Sequence, residues 1–139
     1  MNICVFCGSA TGKNPVYAEA ARELGRLLGK NSHNLVYGGG NIGLMGILAD
    51  AVIQHQGEVI GVIPDFLLKR EVGHKGISKL EVVPSMHVRK KRMADLAHGF
   101  IAMPGGWGTL EELAEILTWR QLQIIHQPIG LLNINGFFN

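Results

Sequence analysis

Two acidic residues, Glu111 and Glu112, follow the run Met103-Pro104-Gly105-Gly106-Trp107-Gly108-Thr109-Leu110. The apolar run Phe100-Ile101-Ala102 leads into it, and Leu110, Leu113, Ile116 and Leu117 lead out at helical spacing. The pattern is strand, glycine turn, helix N-terminus. Glycines at 105, 106 and 108 let backbone N–H groups approach a ligand with no Cβ in the way. The helix end adds unpaired N–H donors and a positive partial charge, so the turn is expected to hold an anion, a phosphate above all. A carboxylate beside a sugar phosphate suggests chemistry on the ribose. Cleavage of an N-glycosidic bond passes through an oxocarbenium-like state, which a carboxylate stabilises while it positions water, by analogy with glycoside hydrolysis. The departing base needs a proton or a hydrogen bond, so a donor must stand nearby. The plainer reading is a capping box, with Thr109 as N-cap and Glu112 three residues on. It explains neither the second acid nor the glycine turn.

The donor is sought in Arg89-Lys90-Lys91-Arg92. Such a run is ordinarily a solvated helix face. Successive helical residues turn by about 100°, so 89 and 92 share a face while 90 and 91 point elsewhere, and at most two of the four can reach one pocket. Arg89 lies in the first turns of its helix, where positive charge is mildly unfavourable against the macrodipole. A functional use explains that cost, and the guanidinium suits bidentate contact with phosphate or carboxylate.

Gly38-x-Gly40-x-x-Gly43 matches a dinucleotide fingerprint in form, with Asp65 near the place of a ribose-binding acid, so an NAD-dependent oxidoreductase is a rival. Against it, the motif follows the second strand rather than the first, and no part of the chain supplies a substrate domain. Tight helix–strand packing uses glycine equally well. Cys4 and Cys7 fall inside an apolar run with no second pair or His cluster to complete a zinc site, so they are read as buried thiols of a reducing cytoplasm.

These residues need a scaffold. Continuous apolar runs predict strands at Asn2–Cys7, Leu35–Tyr37, Val59–Ile63, Leu80–Val83, Phe100–Met103 and from Ile129 to Leu132. Helical periodicity falls between them: from Pro15 to Gly29, from Leu44 to Gly57, over Met86–His98, and after the glycine turn to about Ile125. Residues 65–78 read as a loop with one helical turn. Strands buried on both sides and alternating with helices predict an α/β fold, a doubly wound, Rossmann-like parallel sheet with helices on both faces. Ligands bind such sheets at the carboxyl ends of the strands. The glycine turns at 8–12, 38–43 and 104–108 all fall there. The 139 residues suit one domain, 1–139, with a real core. A net charge of +2 gives no argument for nucleic acid, and no apolar run reaches the roughly 20 residues that span a membrane. No signal peptide is visible.

Gly38-Gly39-Gly40-x-x-Gly43-Leu44-Met45-Gly46, Met86-His87-x-Arg89-Lys90 and Pro104-Gly105-Gly106-x-Gly108-Thr109-x-x-Glu112 together resemble the Lonely Guy family, as does the opening Phe6-Cys7-Gly8-Ser9. These are cytokinin riboside 5′-monophosphate phosphoribohydrolases, often labelled lysine decarboxylases. The resemblance implies hydrolysis of an N6-modified adenosine 5′-monophosphate (AMP) to free base and ribose 5-phosphate, with no metal or organic cofactor. It implies Arg89 and Glu112 as the catalytic pair. Gly106, Trp107, Gly108 and Thr109 would hold phosphate and ribose, flanked by Gly105, Leu110 and Glu111. Lys90, Glu71 and Thr118 would line the nucleotide site, with Gly8, Ser9, Gly39 and Gly40 in the other two glycine turns. A homodimer is implied. The family's usual chain runs well past position 139, so a C-terminal helix and strand are expected to be missing here. The decarboxylase label fits poorly, because a pyridoxal phosphate enzyme needs a Schiff-base lysine and a partner for the ring nitrogen. A carrier that holds a nucleotide without turnover is the alternative from the same fold, with the oxidoreductase after it.

Overall fold

The computed structural model describes residues 1–70 and 72–139. Strands β1 (Asn2–Phe6), β2 (Asn34–Tyr37), β3 (Val59–Pro64), β4 (Lys79–Val83), β5 (Gly99–Ala102) and β6 (Ile129–Leu131) alternate with helices α1 (Val16–Lys30), α2 (Gly43–Gln54), α3 (Met86–Leu96) and α4 (Trp107–Gln121). The strands form one sheet in the order β4-β3-β2-β1-β5-β6. All its pairings are parallel. The doubly wound α/β expectation holds.

Pleating divides the core. Val5 and Cys7 of the first strand segment, with Leu35 and Tyr37, pack against Ala21 and Leu28 of α1 and Leu44, Leu48 and Val52 of α2. Cys4, Phe6, Val36 and Phe100 face the other way, onto Met93 and Ala94 of α3 and Ile116 of α4. This is why the strands read as unbroken apolar runs: both faces are covered.

The order also fixes where a ligand can enter. β1 lies between β2 and β5. The chain leaves β1 toward α1 on one face and leaves β5 toward α4 on the other, as the two core clusters show. Neighbouring strands whose following helices go to opposite faces open a crevice at their carboxyl ends.

Several boundaries differ from expectation. α3 stops at Leu96 rather than His98, with Ala97 already extended. α4 stops at Gln121, short of Ile125; Gln123 has a φ of 63°, which breaks the helix. The segment 65–78 carries one short helical turn, Asp65–Leu67, as expected. Glu71 lies outside the described residues. Among the described residues no helix is long and apolar enough to cross a membrane.

A cleft at the carboxyl ends of β1 and β5

The loops after β1 and β5 touch. A Cβ built on Gly8 would stand 3.2 Å from the Gly105 Cα, a tight contact that the neighbouring turn would have to ease by a few tenths of an ångström. Beside them opens a cleft of about 280 Å³. Gly8 and Ser9 line it from the β1 side, and Gly106, Trp107, Gly108 and Thr109 from the β5 side. Arg89 enters from α3, Glu112 from α4, and Cys7, Gly38 and Met45 floor it.

The start of α4 corrects the capping-box expectation. The N-cap is Gly106, extended at φ −89° and ψ −154°, and no side chain caps the helix. The first intrahelical bond runs from Leu110 N–H to the Gly106 carbonyl at 3.2 Å. Thr109 is therefore the third helical residue. It is buried, and a Cβ on Gly105 would come within 2.2 Å of its Oγ1. Glu112 falls in the second turn, where no capping role is open to it. The N–H groups of Trp107, Gly108 and Thr109 precede the helix's own hydrogen bonding, so they are available to an anion. Cβ atoms at Gly106 and Gly108 would meet nothing within 4 Å, and neither residue has a left-handed φ. Protein packing does not require glycine at these two positions, and both line the cleft.

Arg89 is 5% exposed. Its Nε–H donates to the Val62 carbonyl at 3.0 Å and its Nη2 to the Gly38 carbonyl at 2.9 Å. These carbonyls, within β3 and just after β2, offset the unfavourable macrodipole at the start of α3, whose N-cap Ser85 accepts from Val88 N–H at 3.2 Å. A Cβ on Gly38 would lie 2.1 Å from Nη2, so a residue with a side chain there would displace the guanidinium. Burial pushes the Cys4 thiol well up, the Glu112 charge raises it further, and the Arg89 charge lowers it. Both charges are thus felt at Cys4, midway along β1, and its thiol stays protonated.

The rest of the basic run disperses. Lys90 is buried between α3 and α4, bonded to Glu111 and, at 2.7 Å, to Glu115. Lys91 pairs with Asp95 at 2.6 Å. Arg92 turns to the sheet edge and forks onto Glu81 at 2.9 and 3.0 Å. Arg89 alone among the four lines the cleft, and Arg92 does not share its face.

Of the expected site residues, Gly8, Ser9, Arg89, Gly106, Trp107, Gly108, Thr109 and Glu112 share this cleft. Gly105 lies just behind it, against Thr109. Leu110 and Glu111 are exposed on other faces of α4. Thr118 lies about 9 Å further along the helix axis than Glu112, its hydroxyl donating to the Ala114 carbonyl. Gly39 packs on Ile63 and Leu80. The Gly40 carbonyl accepts from the Tyr37 hydroxyl at 2.9 Å.

Sequence reasoning missed two features. Glu115 stands four residues after Glu111, so both share one helical stripe; that spacing was the available signal. The other is His74, buried on the loop before β4. Gly76 N–H donates to its Nδ1 at 3.0 Å, so Nε2 carries the proton that it donates to Asp50 at 2.6 Å. His74 N–H also donates to the Gly39 carbonyl and Asn41 N–H to the Val72 carbonyl. Gly39 and Gly40 thus serve to dock this loop. No local pattern announces such a contact.

A family model described as "Possible lysine decarboxylase" matches residues 45–139. Cytokinin riboside 5′-monophosphate phosphoribohydrolase LOG7 of Arabidopsis thaliana is 52% identical over 137 residues, which are 99% of this chain and 63% of that protein. The enzyme named LOG of Oryza sativa subsp. japonica is also 52% identical, over 99% of this chain and 57% of its own length. The chain thus spans about three fifths of the curated relatives it matches. A solved structural-genomics target is 27% identical with a TM-score of 0.69, covering 93% of this chain and 72% of that one. The molybdenum cofactor binding protein of Rippkaea orientalis, at 23% identity and TM-score 0.74 over 94% of this chain and 74% of its own, shares the fold.

Proposed function

This chain belongs to the family described as possible lysine decarboxylases, whose curated relatives here carry Lonely Guy names, and from that premise we propose that it is a nucleoside 5′-monophosphate phosphoribohydrolase. One observation carries the reading: Arg89 and Glu112 converge on a cleft whose wall is an uncapped, glycine-lined helix N-terminus. The 5′-phosphate sits on the N–H groups of Trp107, Gly108 and Thr109, with Ser9 opposite. Held there, the ribose presents C1′ to Glu112. The carboxylate stabilises the oxocarbenium-like state and orients a water molecule. The C1′–N9 bond breaks and its electron pair leaves with the base. Water oxygen bonds to C1′, and the water's proton, taken up by Glu112, is returned to the base. The guanidinium of Arg89 cannot lose a proton at ordinary pH, so it assists by charge and hydrogen bonding to the leaving base or the phosphate.

We take the substrate to be AMP modified at N6. The decarboxylase description is opposed by the state of Lys90. A Schiff base starts from a neutral amine, and hydrogen bonds to Glu111 and Glu115 hold this one as an ammonium. A homodimer is supported by the exposed apolar side chains of Trp107, Leu110 and Leu117 on α4, with Leu122 and Ile124 beyond it. The buried side chains of Cys4 and Cys7 support a cytoplasmic setting.

The test is incubation with AMP and N6-isopentenyl-AMP, with free base and ribose 5-phosphate measured. Wild-type protein is expected to release base, and Glu112→Gln to abolish release while still binding AMP. Binding by the wild type without release favours a carrier. Binding of NAD without base release favours the oxidoreductase.

A further inference from the structure

His74 is 7% exposed on a surface loop and does not line the cleft. Both of its ring nitrogens are used. Gly76 N–H donates to Nδ1 at 3.0 Å, a bond inside the loop that shapes it. Nε2–H donates to the Asp50 carboxylate at 2.6 Å, a bond that ties the loop to α2. Asp50 is the single charged residue of α2. Its side chain is 58% exposed, so the charge keeps its hydration while one oxygen takes the imidazole N–H.

The tied segment reaches the cleft through a short chain of contacts. His74 N–H donates to the Gly39 carbonyl at 3.0 Å, and Asn41 N–H donates to the Val72 carbonyl at 2.8 Å. Gly40 and Gly73 face each other between these bonds as an antiparallel bridge. The turn they dock on begins at Gly38, whose carbonyl accepts from Arg89 Nη2. Gly73 N–H in turn donates to the Leu68 carbonyl at 3.2 Å, and a Cβ on Gly73 would meet the Leu68 side chain at 2.7 Å. Leu68 is therefore held where Gly73 is held. Its neighbour Leu67 lines the cleft, together with Met86 and Arg89. Two strands, β2 and β1, separate β3 from β5. At about 4.8 Å per strand, Leu67 after β3 and the N–H groups of Trp107, Gly108 and Thr109 after β5 bound opposite ends of the cleft. A mononucleotide with its phosphate on α4 points its base toward Leu67.

We propose that the His74–Asp50 hydrogen bond is a latch that seats the loop after β3 on the glycine turn after β2, and that this seat sets the base end of the cleft through Leu67. His74 and Asp50 are positioning residues, and neither touches substrate. The link to the base rests on the phosphoribohydrolase reading of the cleft; the latch itself does not.

The latch is tested without activity by limited trypsin digestion, since Lys69 and Arg70 are exposed on this loop. Nicking of a locally opened segment follows its open population. Asp50→Ala removes the acceptor at an exposed helical position where alanine is favoured, so the fold is kept. Losing a bond to a charged group should speed nicking at residues 69–70 about 10-fold, with Tm little changed. In the same variant the affinity for AMP should fall, and KM rise, by about 10-fold. Ribose 5-phosphate, which carries no base, should bind within about twofold of wild type. His74→Leu should act alike, and His74→Gln, whose side-chain N–H can reach Asp50, should recover both properties. Asp50→Ala decides should His74→Leu fail to fold. Unchanged nicking in Asp50→Ala would overturn the latch. Faster nicking with AMP affinity kept, or with ribose 5-phosphate affinity lost in equal measure, would overturn its link to the base end. Wild-type protein that releases no base would sink the phosphoribohydrolase reading and that link with it, while the nicking still decides the latch.

Discussion

Replacing Gly108 by alanine should move stability and binding in opposite directions. Gly108 is the second residue of α4, its conformation is not left-handed, and a Cβ there meets nothing within 4 Å. Alanine is favoured over glycine by up to about 1 kcal/mol inside a helix, and part of that should appear in the first turn. For a chain of this size the expected rise in Tm is roughly 1–4 °C. The same methyl group projects into the space where the phosphate is placed. Loss of one charge-assisted N–H bond costs about 1.5–3 kcal/mol, which is roughly a 10- to 150-fold weakening. Thermal melting followed by circular dichroism gives the first quantity, and calorimetric titration with ribose 5-phosphate gives the second. A variant that is more stable and binds ribose 5-phosphate as well as the wild type would refute the argument, because the glycine would then serve neither packing nor ligand.

Gly38→Ala is expected to fail differently. Its Cβ would fall 2.1 Å from Arg89 Nη2, so the guanidinium must leave the Gly38 and Val62 carbonyls; a stability loss of about 1–3 kcal/mol by urea titration and a collapse of base release should come together. The Glu81 carboxyl is held down to about 2, first by hydrogen bonding to Arg92, against an ordinary 4.5. A lowered folded-state pKa stabilises above 4.5 and is lost as pH falls through about 2. Arg92→Met should therefore flatten the acid limb of a stability–pH curve between those values, read by chemical denaturation at stepped pH.

Much of the cleft's lining was readable from residue order because its parts are local. Continuous apolar runs such as Ile3-Cys4-Val5-Phe6 and Val59-Ile60-Gly61-Val62-Ile63 meant strands covered on both faces, hence a parallel sheet with its glycine turns at one end. Arg89 and Glu112 could be singled out because a cation in a helix's first turns and an acid after a glycine turn each ask for an explanation. The N-cap was misplaced for a local reason too. Thr109 carries a capping hydroxyl and Gly106 carries no side chain, so the sequence signal favoured the residue that the fold buries.

Residue order alone determined the alternation of strands and helices and the glycine turn at the head of α4, since both follow from periodicity and from glycine's missing Cβ. Only tertiary structure decided that β1 lies between β2 and β5, that Arg89 turns onto the carbonyls of Val62 and Gly38, and that Lys90 turns onto α4. Neighbours in a basic run differ by about 100° in direction. What each one meets depends on which element packs there, and that is set by the burial of apolar surface on both faces of the sheet, which helical spacing does not record.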